Sequence, residues 1–175
     1  RAKRDSSMHV ACRLVRQGEA DAFISAGNSG VAFACGMFII GRIPGVVRPA
    51  LASLMPTEKS PMLLLDVGAN AECSPINLFQ FAVLGSTFVK DILGYEDPRV
   101  ALLSNGEEEG KGNPLVKETY DLLKQASHIN FVGNAEARDV PLGAVDVIVC
   151  DGFSGNVLLK SIEGTAMFMG SLVSK

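Results

Sequence analysis

The chain reads as an α/β fold, layered, with a mostly parallel sheet. Two observations predict this. Strand and helix patterns alternate almost without a break along the 175 residues, which makes neighbouring strands parallel with right-handed crossovers. The strands, such as Met62-Leu-Leu-Leu-Asp66 and Val145-Asp-Val-Ile-Val-Cys150, are nearly continuous apolar runs, so both faces of the sheet are covered. With 47% hydrophobic residues and no low-complexity tract, one well-packed domain over residues 1–175 is expected. The opening Arg1-Ala-Lys3-Arg4 is a poor start for a folding unit, and the chain reads as the central piece of a longer protein.

Ser6 to Gly18 has the pattern of a helix. Asp5 or Ser6 caps it, Met8, Ala11, Leu14 and Val15 form its apolar stripe, and Gly18 stops it. Ala22 to Ser25 reads as a short buried strand. Asn28-Ser29-Gly30 then opens a very apolar helix to about Ile40, expected to be buried on most sides. Arg48 to Leu54 and Met62 to Asp66 are the next strands, and Pro49 gives the first an edge or an entry position. Ser74-Pro75 serves as cap and first residue of a helix to Leu93. A strand follows at Arg99 to Ser104, then a helix from Asn113-Pro114 to near Ala126. Strands at Ile129 to Val132 and Val145 to Cys150 lead to a last helix from near Gly155 to Val173. Gly41 to Ser60 is the long irregular-looking stretch.

Composition narrows the function. Net charge is −3 and the basic run is confined to Arg1, Lys3 and Arg4, which argues against nucleic acid as a partner. Cys12, Cys35, Cys73 and Cys150 are far apart with no CxxC pair, so reduced cytosolic thiols are expected and a zinc site is not. The best apolar stretch, Val31 to Ile40, is too short to span a bilayer.

In an open parallel sheet, ligands bind beyond the carboxyl ends of the strands. Five predicted strand ends share one composition: Ser25-Ala-Gly27-Asn28-Ser29-Gly30, Asp66-Val-Gly68-Ala-Asn70, Ser104-Asn105-Gly106, Gly133-Asn134 and Asp151-Gly152-Phe-Ser154-Gly155-Asn156. Glycine with asparagine supplies backbone N–H groups and neutral donors at helix N-termini, a wall suited to an anion or a polarised carbonyl. Any one such turn is explained by turn geometry; five on one edge predict an oxyacid site.

No G-x-G-x-x-G follows a strand and no G-x-x-x-x-G-K-[ST] occurs, which disfavours dinucleotide and triphosphate chemistry. Glu107, Glu108 and Glu109 read as a solvated loop rather than a metal site. Lys111, between Gly110 and Gly112, either holds phosphate as a point charge, protonates a leaving thiolate, or is an exposed loop lysine. Lys160 shares a helix face with Asn156 and reads as a solvated lysine. Cys12, Cys35 and Cys150 read as small core residues, and no G-x-S-x-G elbow is present. Direct attack, with substrate oxygens aligned by the protein, is the chemistry left. Asp66 and Asp151 beside an anion site are not both ionised phosphate contacts; capping a turn and orienting a lysine are the roles open to them.

Five ordered blocks carry a resemblance: Lys3-Arg-Asp-Ser-Ser-Met8, Asp21 to Gly30, Leu64 to Asn70, Glu108-Glu-Gly-Lys-Gly112 and Cys150 to Val157. Together they resemble the signature blocks of the bacterial phosphate acyltransferase family. The resemblance implies transfer of a fatty acyl group from acyl carrier protein to inorganic phosphate, feeding phospholipid synthesis. The thioester donor it implies is already activated, so no metal and no cofactor are expected. It further implies a fold similar to phosphotransacetylases and isocitrate-type dehydrogenases, a cytoplasmic homodimer, and contact with the inner face of the membrane. Lys111, Asn28 and Asn156 are then the expected catalytic residues. Ser25, Gly27, Ser29, Gly30, Asp66, Gly68, Asn70, Asn105, Gly106, Asp151, Gly152, Ser154 and Gly155 are the expected substrate contacts. Arg1, Lys3 and Arg4 are placed to meet an acidic carrier protein, or form a solvated terminus. The Met- and Phe-bearing Ala166 to Val173 reads as core, or as a dimer or membrane face. Three rivals share parts of the pattern: a coenzyme A-dependent phosphate acetyl- or butyryltransferase, an isocitrate-type dehydrogenase, and a non-catalytic carrier-binding module.

Overall fold

The computed structural model describes residues 5–174. Its contacts cluster into two compact units, Arg1–Pro49 and Ala50–Lys175, where the sequence reads as one domain. Lys3 and Arg4, with Arg1, lie outside the described residues.

In the first unit, α1 (Ser7–Gln17) ends at Gly18, whose φ of 74° lets its N–H reach back to the carbonyls of Leu14 and Val15. Helix α2 (Ser29–Cys35) runs into a π turn at Gly36–Ile40. Arg16 of α1 donates to the Ile39 carbonyl at 2.7 Å, satisfying an oxygen that the end of the π turn leaves open. Cys12 and Cys35 form the buried seam, at 0% and 4% exposure. Burial, and then the neighbouring Cys35, pushes the Cys12 thiol up. Two expectations fail here. Ala22 to Ser25 takes no regular structure and belongs to no ladder, and Ile24 is fully exposed; an apolar run becomes a strand only when a partner supplies hydrogen bonds. The apolar helix is also only half covered. Val31 and Phe38 are exposed and Cys35 is its buried residue.

The second unit holds a five-stranded sheet in the order β1-β2-β5-β3-β4. Its strands are β1 (Ala52–Met55), β2 (Met62–Leu65), β3 (Val100–Leu103), β4 (Phe131–Ala135) and β5 (Val147–Val149). All neighbours are parallel except the edge strand β1, which pairs antiparallel with β2. The sheet separates two apolar clusters. Leu63, Leu65, Val100, Leu102, Val147 and Val149 face α3 (Pro75–Leu93) and α4 (Pro114–Lys124) through Leu78, Phe81, Val89, Val116 and Leu123. Met62, Leu64, Ala101 and Ile148 alternate to the opposite face and meet Val140, Val145 and Leu158 of α5 (Gly152–Val173). Both faces are therefore dry, as continuous apolar strands require.

Local chemistry sets the element ends. At the start of α3 the Asn77 side chain accepts from the Ser74 N–H at 2.9 Å and the Ser74 hydroxyl at 2.8 Å. Asn113 caps α4 by accepting from Val116 N at 2.9 Å, with Pro114 at the first helical position. Helix α3 is, by length and composition, long and apolar enough to cross a bilayer, contrary to the expectation that no stretch is. One of its faces is instead the core of this sheet. Past Ile162, every described residue of α5 is exposed, including Met167, Phe168, Met169 and Leu172; that end is not core.

Arg99 joins the starts of β3 and β5. Its backbone N–H and Nε donate to Asp146 Oδ2 at 2.8 and 3.0 Å, and Nη2 to Oδ1 at 2.9 Å. Burial alone would raise the Asp146 carboxyl, but the bonds from Arg99 outweigh it and hold the carboxyl below its usual range.

An added Cβ at Gly85 on α3 would lie 2.6 Å from Leu65 and 2.7 Å from Val147, so Gly85→Ala should destabilise the fold by about 2 kcal/mol. Gly164→Ala meets nothing within 4 Å and should stabilise α5 by about 0.5–1 kcal/mol; urea titration of the two variants checks both signs. Because the folded Asp146 carboxyl sits low, its stabilisation is present above the ordinary carboxylate value of about 4 and is lost as pH falls below it. Asp146→Asn should flatten that acid limb of the stability curve.

Candidate functional site

Asp66 follows β2 across a cis peptide bond and has no exposed surface. Its carboxylate accepts five N–H groups. Oδ1 takes those of Leu51, Gly68 and Ala69 at 3.1, 3.1 and 2.9 Å. Oδ2 takes the backbone N–H and the side-chain amide of Asn70, each at 2.8 Å. A buried carboxylate is tolerable only with such compensation. Asp66 therefore builds the turn from inside, and Asn70, only 5% exposed, directs its amide at Asp66 rather than outward.

That turn seats α5. The Gly152 N–H donates to the Asn70 carbonyl at 2.8 Å, and a Cβ on Gly155 would fall 1.9 Å from the Asp66 carbonyl oxygen. Only glycine permits this approach. The Asn156 side chain lies over Gly68, its Oδ1 3.6 Å from where a Cβ would stand. Asp151 is the N-cap of α5: Oδ1 accepts from Ser154 N at 2.9 Å and Oδ2 from the Ser154 hydroxyl at 2.8 Å. Residues 152–156 are thus the first turn of α5, three residues ahead of the expected helix start, because the Asp151 cap begins the helix early. Among the described residues the Phe153 N–H has no acceptor, while its neighbours in that turn are all engaged. Both aspartates cap turns, and neither orients a lysine.

Beyond β3, the Asn105 side chain closes a loop by accepting from Gly112 N at 2.9 Å. Asn134 pins the loop from β4 by donating to the Glu108 carbonyl at 3.0 Å. The Lys111 stem lies across Gly106, where a Cβ would meet its Cγ at 2.8 Å. Lys111 is exposed and makes no ion pair with any described residue. Acidic side chains nearby are partly neutralised: Glu107 of this loop and Glu136 after β4 flank Arg138, and Glu109 of the loop pairs with Lys124 at 2.7 Å. Glu107, Glu136 and Asp139 come close enough to suggest a cation, but Arg138 stands among them and Asp139 accepts from Glu136 N.

Between these elements opens a cavity of about 690 Å³, lined by Ser104, Asn105, Gly112, Asn113, Asp151 and Ser154 on its polar side. A smaller polar cavity, lined by Asn105, Gly106, Glu108, Lys111 and Arg138 among others, shares Asn105 with it. The structure therefore joins three of the five expected strand-end segments: 66–70, 104–106 and 151–156. Gly133-Asn134 does not join them as a turn, because β4 runs on to Ala135 and a bulge at Gly133 (φ 104°) shifts the register. The Ser25–Gly30 turn belongs to the first unit, where Asn28 caps α2 by accepting from Val31 N at 3.1 Å and Ser25 Oγ accepts from Gly27 N. Ser29 and Gly30 are the first two residues of α2. Lys160 pairs with Glu163 at 2.7 Å and lines neither cavity.

The residues missed from the sequence are apolar or buried. Leu78, Leu103, Val116, Phe153, Val157 and Leu158 line the larger cavity; Ser104, which the strand-end pattern already contained, also lines it, and its buried hydroxyl has no hydrogen-bond partner among the described residues. Phe153 left a trace in the sequence, as a large aromatic inside an otherwise small, polar turn.

Compared with known proteins, residues 1–175 match the family model described as "Fatty acid synthesis protein". The chain is 61% identical over 175 residues to the phosphate acyltransferase of Nitratidesulfovibrio vulgaris, covering 100% of this chain and 51% of that protein. It is 58% identical over 175 residues to that of Lawsonia intracellularis (100% and 50%) and 53% identical over 173 residues to that of Aquifex aeolicus (99% and 51%). The chain thus spans about half the length of the curated relatives it matches. Among solved structures it resembles a phosphotransacetylase from Streptococcus pyogenes at a TM-score of 0.67, covering 88% of this chain and 53% of that one. It also resembles the EutD phosphotransacetylase from Staphylococcus aureus at 0.68, with 91% and 55% covered. Both are 21% identical to this chain, so that likeness concerns the fold.

Asp66→Asn should show what the buried carboxylate does. It places an amide NH₂ among five donors, which should lower stability by about 3 kcal/mol. Denaturation within about 0.5 kcal/mol of the wild type would show that the turn holds itself without Asp66.

Proposed function

This chain belongs to the fatty acid synthesis protein family, and from that premise we propose that the whole protein moves a fatty acyl group from acyl carrier protein to inorganic phosphate. Relatives at 58–61% identity bear the name phosphate acyltransferase, which supports the reading. The observation that carries it is the crevice beyond β3 and β5. It sets an amide-rich helix start and a lysine-bearing loop against an apolar wall.

In the proposed reaction a phosphate oxygen bonds to the thioester carbonyl carbon and the carbon–sulfur bond breaks. The electron pair leaves on sulfur, and the proton released by phosphate ends on the carrier thiol. The transient oxyanion faces the Phe153 N–H at the positive end of α5, with Asn156, whose side chain lies over Gly68, as the further donor this reading assigns. Lys111 offsets the charge of phosphate. A thioester is already activated, so alignment and charge stabilisation suffice. Asn28 lies in the first unit, where its side-chain oxygen accepts from Val31 N, and its part in the chemistry is a proposal that turnover of full-length Asn28→Ala protein tests. A second copy of the chain and the inner membrane face are the further partners of this reading, set in the cytoplasm. The exposed Met167, Phe168, Met169 and Leu172 supply apolar surface for one of them.

The test is to trap acyl phosphate as its hydroxamate, using full-length protein with acyl carrier protein and coenzyme A thioesters side by side. Carrier-dependent product is expected. Equal use of coenzyme A would move the reading to the phosphotransacetylase type, and tight carrier binding without product would leave a binding module. Lys111→Ala should lower turnover by about 100-fold while shifting the thermal midpoint by less than about 2 °C, since Lys111 is exposed and unpaired. Unaltered turnover at low phosphate removes Lys111 from the chemistry.

A further inference from the structure

Polar groups line one side of the crevice, and the other side is apolar. Leu78 comes from α3, Leu103 from β3, Val116 from α4, and Val157 and Leu158 from α5. Phe153 and Val157 stand one helical turn apart on α5 and are 68% and 49% exposed. Ser161, a further turn along the same face, also lines the cavity, so the apolar strip follows α5 for roughly 12 Å. Large apolar side chains at the rim of a site leave water in contact with surface that a ligand would cover.

We propose that this strip is the lane for the first methylenes of the donor's acyl chain, and that Phe153 at its mouth sets the preference for long over short chains. The inference rests on the acyl-transfer reading above and assigns that reading its apolar subsite. Continuity identifies the occupant. Phe153 bears both the unpaired N–H that faces the carbonyl and the ring that opens the strip, so a group whose carbonyl sits at the amide has its tail directed along the strip. Asp151 is the one carboxylate among the described lining residues. Both Asp151 oxygens are held by Ser154, and burial keeps the Cys150 thiol at the floor protonated by pushing it up. The cavity volume of about 690 Å³ falls in the range of small-molecule sites. Each methylene moved from water into such a lane strengthens binding about fourfold.

The experiment uses full-length protein and two readouts. The first is kcat/KM with butyryl, octanoyl and palmitoyl carrier protein for the wild type, Phe153→Ala and Val157→Phe. With Phe153→Ala, the palmitoyl value should fall about ten times further than the butyryl value; Val157→Phe should steepen the loss with chain length by narrowing the strip. Leu122→Ala, an exposed apolar position on α4 outside the cavity, should leave the profile as it is. The second readout, independent of turnover, is fluorescence titration with cis-parinaric acid, whose affinity should weaken about fivefold in both α5 variants. A loss that is equal at every chain length, or parinarate binding that neither variant moves, overturns the lane. If the wild type makes no acyl phosphate from any donor, the transfer reading fails, and the parinarate titration alone then decides whether the strip holds an acyl chain.

Discussion

The Asp66 carboxylate is the constraint on which the rest of the site depends. A charge with no solvent contact is costly unless its hydrogen-bonding capacity is filled, and here five N–H groups from four residues fill it. That network closes the turn after β2 and presents the Asn70 carbonyl to Gly152 and the Asp66 carbonyl to Gly155. The start of α5 is therefore located by backbone atoms of the neighbouring turn. Its Asp151 cap, its free Phe153 N–H and its Asn156 side chain inherit their positions from one buried anion.

The sheet supplies the rest of the geometry. Strands β3 and β5 are central and adjacent, so their carboxyl ends open side by side into one crevice, as parallel sheets favour. The dry clusters on both faces keep those ends in register, and the Arg99–Asp146 clamp ties the opposite ends of the same two strands. Rigidity at one end and donors at the other are what a site needs when alignment does most of the chemistry.

Much of this was legible from residues alone. Ser74-Pro75 and Asn113-Pro114 announced α3 and α4 because cap chemistry is local, and β2 and β5 announced themselves because a strand covered on both faces has no polar alternation. The misses share a cause. Ala22 to Ser25 has strand composition but no ladder partner among the described residues, and β4 extends past Val132 because a bulge at Gly133 absorbs an extra residue. The apolar α2 reads as core and the far half of α5 as core or an interaction face; whether a surface is covered depends on what packs against it.

By itself the sequence determined the α/β class, the order of its elements, and the glycine–asparagine chemistry of the strand ends, since propensity, capping and apolar periodicity act over a few neighbouring residues. Tertiary structure decided which of those ends meet, that Asp66 and Asn70 face inward, and that Phe153 and Val157 rim the crevice. Those outcomes turn on contacts that no short window contains, from Leu51 against Asp66, fifteen positions apart, to Gly155 against Asp66 across most of the second unit. No local rule encodes such contacts until the chain has folded around them.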